Sequence, residues 1–593
     1  YMAEEELTLL RRASQVFERG DFYLSAAEEK MLADVKANFK KVVVVMNVGG
    51  MVDSSWFAQD DEISAVLMAW QGGMEGGLAS ADILVGEVSP SGKLVDTFAQ
   101  RLEDYPSSGN FHESQTYVDY TDDIYVGYRY FETIPGAAEK VNYPFGFGLS
   151  YTDFLMEIKQ ANVTTAGVRV LAAVTNIGNF AGKEVVQLYV SAPQGRLGKP
   201  AKELKAFTKT RLLQPGETQT VCLMVAKEEL ASYDDLGKVQ KSAYVLEKGT
   251  YTFWIGTSVR DVTKVGEYTA EEDEAVLQLT SQCAPNMLPQ RMTSDGSMEE
   301  LPVNPDAVRI SAWSVKETPP KEPDIRGREG AMLGTVTHGA NLAEVASGVI
   351  TLDEFVEKLS IEDLIHLVCG QPNTGIANTF GFGNLPEYNV PNVMTADGPA
   401  GLRIRPEVGV KTTAFPCATL LASTWNTQLV ERVGEAGAEE VKENNIAVWL
   451  TPAMNIHRSP LCGRNFEYYS EDPLIAGKMG AALVRGIQSR QIGASVKHFC
   501  CNNKETRRVE SDSRVSERAL REIYLKGFEI VVKEADPWTI MTSYNIVNGQ
   551  RSSENKDLLT HILREEWAFG GMVTTDWWNH AEQYLELQAG NDV

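Results

Sequence analysis

From Leu352 onward the chain alternates apolar runs of strand length with helical stretches, and this alternation limits the possible folds more than any other feature. The helical stretches lie at about 352–368, 426–443, 471–488, 516–535 and 555–566. Between them run Val393-Met394-Thr395-Ala396, Ile446-Ala447-Val448-Trp449-Leu450, Ala494-Ser495-Val496, Thr539-Ile540-Met541-Thr542 and Met572-Val573-Thr574-Thr575. Strands that are apolar on both faces and separated by helices belong to a parallel sheet, and the count predicts a (β/α) TIM-like barrel over 351–593.

Each run also ends in polar residues: Asp397-Gly398-Pro399, Asn455 with His457-Arg458, Lys497-His498, Ser543-Tyr544-Asn545 and Asp576, the last followed by Trp577-Trp578. Taken singly, each has a plain reading. Asp397 is an ordinary turn former, Lys497-His498 an internal pair, Arg464 a partner for Glu467 or Asp472, and the tryptophans core. Five polar strand ends in one barrel are better explained by a shared site on its C-terminal face. A carboxylate at the mouth of a buried strand is costly unless paired or used, which singles out Asp576.

The earlier part divides into three. Residues 1–153 read as a layered α/β unit: an acidic helix over 3–15, a second helix through Asn38, the buried strand around Val42–Met46, a helix-length segment over Ile63–Trp70 and Gly-rich loops at Gly72-Gly73 and Gly76-Gly77. Residues 154–261 carry short alternating runs such as Val185-Val186-Gln187-Leu188-Tyr189-Val190, which predict an antiparallel β-sandwich. Residues 262–350 read as a linker or arm, acidic at Glu271–Glu274 and rich in proline at Pro319-Pro320 and Pro323.

The net charge of −26 argues against nucleic acid and anionic membranes as partners. Seven cysteines without CxxC spacing suggest neither a metal site nor a disulfide framework, and a reducing, cytoplasmic setting is expected. Secretion stays open, because the chain does not begin with Met.

The strand-end wording resembles glycoside hydrolase family 3, the retaining β-glucosidase group. The matching segments are Ala396-Asp397-Gly398-Pro399, Gly463-Arg464-Asn465-Phe466-Glu467, Lys497-His498-Phe499, Glu505-Thr506-Arg507-Arg508, Ser543-Tyr544-Asn545 and Thr575-Asp576-Trp577. The α/β unit resembles the family's α/β sandwich, through Gln71-Gly72-Gly73 and Ser89-Pro90-Ser91-Gly92-Lys93-Leu94, and 154–261 its fibronectin-III-like domain. The barrel comes last here, as in the domain-permuted bacterial subgroup.

The resemblance implies a retaining exo-acting β-glucosidase without cofactor or metal, acting on a β-glucoside or short β-linked oligosaccharide. Its nucleophile would be Asp576. Asp397, Arg464, Lys497 and His498 would hold the sugar, Arg508 would help keep Asp576 ionised, Tyr544 would hydrogen-bond it, and Trp577 would face the ring. A β-xylosidase is the nearest rival, and a catalytically impaired carbohydrate-binding protein the rival from another class. The family's N-acetylglucosaminidases fit less well, since Cys500-Cys501-Asn502 replaces their His-containing loop. Oligomeric state is left open.

A retaining mechanism needs a second carboxyl roughly 5 Å from the nucleophile. In the family it is a Glu on a loop of the α/β sandwich, after a buried strand, and the acid/base Glu is not identified here. Glu18 is set aside because no strand precedes it to position it. A strand and its loop are expected to be missing between Gln15 and Val16, and the barrel is expected to continue beyond Val593.

Overall fold

The computed structural model describes residues 19–303, 341–373 and 375–593. The first helix expected from the sequence, Glu18 and the Gln15–Val16 junction lie outside the described residues, as does the proline-rich part of the arm.

Helix α1 (Ala26–Asn38) starts where Ser25 and Glu28 form a capping box, the Ser25 N–H donating to Glu28 Oε2 at 2.8 Å. Strand β1 (Val42–Met46) follows and pairs in parallel with β2 (Ile63–Met68). The segment expected to be a helix over Ile63–Trp70 is therefore a strand. Six apolar-rich residues between Asp60-Asp61-Glu62 and Gly72-Gly73 are too few for their periodicity to decide, and pairing with β1 decides instead. Nor is β1 buried on both faces, since Val43 and Val45 are 48% and 43% exposed.

The sandwich packs a three-stranded sheet against a four-stranded one. The first contains β3 (Phe154–Thr164), β4 (Gly167–Asn176) and β7 (Thr218–Ala226) in the order β7-β4-β3; the second contains β5 (Val185–Ser191), β6 (Glu203–Lys209), β8 (Gly249–Gly256) and β9 (Val262–Ala270) in the order β9-β8-β5-β6. Alternate residues of β4 (Val168, Val170, Ala172, Val174) meet Leu188 and Val190 of β5 and Phe253 of β8 in one core. Strand β9 lies in the stretch read as a linker. Its half-buried Val-Thr-Lys-Val-Gly-Glu pattern carries too few apolar residues to announce an edge strand.

In the last unit the expected helix over 352–368 is two helices, Leu352–Val356 and Ile361–Leu367, because Ser360 forms a second capping box with Asp363. The sheet then runs β10 (Gly381–Leu385), β11 (Val390–Ala396), β12 (Val448–Trp449), β13 (Gly493–Phe499), β14 (Thr539–Thr542) and β15 (Met572–Thr574), in that spatial order. Strands β11 to β15 pair in parallel and β10 is antiparallel at the edge. Helices α2 (Thr427–Glu443) and α3 (Pro473–Ser489) cover one face, and Gly486 lets their backbones meet: a Cβ there would lie 2.0 Å from the Glu431 carbonyl.

The first and last units are locked together. Tyr117–Asp119 adds a parallel strand to Asp512–Arg514. Arg458 pairs with Asp122 at 2.5 Å, both side chains being 1% exposed. His457 Nδ1 lies 2.8 Å from Asp96 Oδ1, and Asp472 accepts from Tyr128 Oη at 2.8 Å while capping α3.

Candidate active site

Strand β15 ends at Thr574, and Asp576 sits two residues beyond it with its Oδ1 taking the Trp577 N–H at 2.9 Å. The end of β13 brings Lys497 and His498 alongside, and His498 Nε2 is 3.8 Å from Asp576 Oδ2. The His498 backbone is clamped by Asn455, which takes its N–H at 3.0 Å and donates to its carbonyl at 2.9 Å. Lys497 Nζ donates to Asp397 Oδ1 at 2.6 Å, at the end of β11, and the other Asp397 oxygen takes Arg403 Nη1 at 3.1 Å.

Arg464 arrives on the loop after β12. Its Nε pairs with Glu467 and its Nη2 reaches His498 Nε2 at 3.0 Å. The plain reading of Arg464 as a partner of Glu467 thus holds alongside its place in the site, whereas Asp472 is taken by Arg129 at 2.9 Å. Arg508 pairs with Glu505 at 2.8 Å and its guanidinium lies 4.4 Å from the centroid of the Tyr544 ring. Tyr544 Oη donates to the Trp577 carbonyl at 2.6 Å. The Trp577 ring packs with Phe382, Val448, Leu450 and Met541 and has Phe380 edge-on at 6.3 Å, while Trp578 is 75% exposed.

All eight residues singled out from the sequence, Asp397, Arg464, Lys497, His498, Arg508, Tyr544, Asp576 and Trp577, therefore gather at one end of the parallel sheet. Of the other strand-end residues, His457 and Arg458 turn into the interface with the first unit, where Asp96 and Asp122 supply the countercharges. Ser543 and Asn545 are spent on the Cys500 carbonyl, at 2.8 and 3.1 Å. Arg403, Glu505, Tyr468 and Asn502 were missed. Of these, Glu505 stands three residues before Arg508, and that spacing was the available signal.

The electrostatics are those of a carboxylate held among cations. Burial pushes the Asp576 carboxyl above its ordinary value, while Lys497, Arg464, the Trp577 N–H and Arg508 draw it back down. Burial also raises Asp397, but Lys497, Arg403 and the Gly398 N–H outweigh it and hold that carboxyl at about 2. Burial, then Arg464, Lys497 and Arg508, push His498 well below the usual histidine range. Burial, then the Asp576 charge, push the Tyr544 phenol up.

The neighbouring carboxylates are each committed to a cation: Asp397 to Lys497, Glu467 to Arg464 and Glu505 to Arg508. A cleft of about 720 Å³ runs between β1, α1 and the loop Pro460–Gly463, beside Arg464 and away from Asp576.

Residues 384–589 match the N-terminal domain of glycosyl hydrolase family 3, residues 3–151 its C-terminal domain, and residues 184–259 a fibronectin type III-like domain. "Beta-glucosidase A" of Butyrivibrio fibrisolvens is 57% identical over 99% of this chain and 74% of its own length. The chain belongs to glycosyl hydrolase family 3. Its family 3 domains stand in permuted order, the C-terminal one first.

A "Beta-glucosidase" of Ruminococcus albus is 42% identical over 94% of the chain. A solved beta-glucosidase of Paenibacillus barengoltzii superposes with a TM-score of 0.87 at 42% identity, covering 96% of this chain. The family 3 chain spans 58% of the Ruminococcus relative and 64% of the Paenibacillus structure. The Butyrivibrio alignment runs over 618 positions, more than the 593 residues here, so that relative carries residues with no counterpart in this chain.

Proposed function

We propose that this family 3 chain is a retaining exo-acting β-glucosidase, removing terminal non-reducing β-D-glucosyl residues through a covalent glycosyl-enzyme on Asp576. The observation that carries the reading is the cluster itself: one buried carboxylate at a strand end, 3.8 Å from His498, where burial raises its pKa and Lys497, Arg464 and Arg508 oppose that rise. A carboxylate kept anionic in a buried site can attack an electrophilic anomeric carbon. In the first step a carboxylate oxygen of Asp576 forms the bond to that carbon as its bond to the aglycone oxygen breaks, that oxygen taking its proton from the second carboxyl a retaining mechanism requires. In the second, water gives its proton back to that carboxyl, displaces the Asp576 carboxylate and returns the sugar with its configuration retained.

The polar groups around Asp576 suit the sugar hydroxyls. The Asp397 carboxylate accepts, and the Lys497 and Arg464 cations donate. The names of the Butyrivibrio and Ruminococcus relatives support glucose as the glycone.

A second reading has one observation in its favour. The carboxylates paired beside Asp576 all face cations, and a chain lacking the second, protonated carboxyl would bind sugar without turning it over. Turnover of an aryl β-glucoside decides between them. The enzyme reading expects activity that Asp576→Gly abolishes and added azide partly restores; binding without turnover supports the other. An aryl β-xyloside hydrolysed in preference to the glucoside would replace glucose by xylose in the proposal.

A further inference from the structure

His498 Nε2 faces Asp576 at 3.8 Å but is closer to Arg464 Nη2, at 3.0 Å. A guanidinium only donates, so at that distance Nε2 presents its lone pair. The ring is 2% exposed, and burial and three nearby cations keep it neutral. Its one proton therefore sits on Nδ1. Nδ1 faces the hydroxyl of the fully buried Tyr468 at 3.4 Å, and that hydroxyl also accepts from Asn502 Nδ2 at 2.9 Å. The same amide nitrogen donates to Glu505 Oε1 at 3.0 Å, and Glu505 Oε2 takes Arg508 Nη1 at 2.8 Å. A hydrogen-bonded chain thus runs from Arg464 through His498, Tyr468, Asn502 and Glu505 to Arg508, the two ends being cations that act on Asp576.

We propose that Tyr468 and Asn502 are positioning residues that hold His498 in its Nδ1–H tautomer, so that Nε2 accepts from Arg464 and fixes that guanidinium beside Asp576. His498 then works through Arg464. With Glu467 on Nε and His498 on Nη2, the guanidinium is gripped at both ends and cannot rotate away when Asp576 changes charge. The effect on catalysis rests on Asp576 being the nucleophile; the tautomer does not.

Long-range proton–nitrogen correlation spectra of the chain labelled with [15N]-histidine test this directly, since only seven histidines contribute. The His498 signal is the one lost in His498→Gln. The expected spectrum has a protonated, pyrrole-like Nδ1 and an unprotonated, pyridine-like Nε2 on His498. A protonated Nε2 overturns the proposal; the tautomer is read on the wild-type chain without turnover, and His498→Gln serves only to assign the signal.

Tyr468→Phe is expected to convert His498 to a mixture of tautomers and to lower kcat/KM by about tenfold, the size of one lost hydrogen bond. An unchanged His498 signal in Tyr468→Phe overturns the positioning role even if activity falls. Asn502→Ala gives a second reading of the same signal, with a smaller change expected, should Tyr468→Phe fail to fold.

Discussion

Asp397→Asn removes one charge from a pair whose other member, Lys497, has a side chain only 4% exposed. The Asp397 carboxyl is held at about 2 against an ordinary 3.8, and a tenfold change in acidity is worth about 1.4 kcal/mol, so the carboxylate contributes about 2 kcal/mol. The variant also leaves the Lys497 ammonium buried without a countercharge, and breaking such pairs from one side costs about 3–5 kcal/mol where burial is complete. A quarter of the Asp397 side chain is exposed, and Asn still offers an acceptor, so the expected loss is about 2–3 kcal/mol.

With a urea slope of about 2–3 kcal/mol/M, the midpoint should fall by about 1 M at pH 7. The sign of the pH dependence follows from the depressed carboxyl. The wild-type advantage is complete above the unfolded value near 4 and is lost as pH falls through about 2. Urea titrations followed by tryptophan fluorescence at pH 7, 5, 4, 3 and 2 should show a constant gap between wild type and variant down to about pH 4, narrowing below it. Equal midpoints at pH 7, or a gap still full-sized near pH 2, would refute the reasoning.

Other expectations follow from the same contacts. Asp122→Ala strands the Arg458 guanidinium, 1% exposed, and should cost about 3 kcal/mol or more in chemical denaturation. Gly486→Ala gains about 1 kcal/mol of helix propensity but drives a Cβ to within 2.0 Å of the Glu431 carbonyl, so calorimetry should show a lower Tm. Arg508→Met removes one of the cations that draw the Asp576 carboxyl down. The acid limb of kcat/KM should therefore move to higher pH, and a limb that stays put or moves to lower pH would contradict the placement of Arg508.

Much of the site was legible because β11 to β15 are parallel strands lying next to one another. Such strands read as apolar runs, and whatever polar residue ends each run is carried to the same edge of the sheet. Asp397, Lys497, His498, Tyr544 and Asp576 were found in that way, and Arg464 and Arg508 through motifs beside them. What stayed hidden depends on pairing across long separations. Asp96 and His457 lie 361 positions apart, and no local pattern in either segment points to the other. Tyr468 and Asn502 look like ordinary loop residues until the fold places them on one imidazole. Among the elements, Ile63–Met68 was misread because a short apolar run has no decisive period, and Val262–Ala270 because an edge strand exposes one face to water.

The central claim is that Asp576 is the carboxylate that becomes bonded to the sugar. Incubation with an activated 2-deoxy-2-fluoro-β-glucoside, followed by peptide mapping by mass spectrometry, reads this directly. One fluoroglucosyl group per chain is expected, on the peptide containing Asp576, and none in Asp576→Asn. A label on any other carboxylate, or turnover of an aryl β-glucoside that persists in Asp576→Asn, would contradict it.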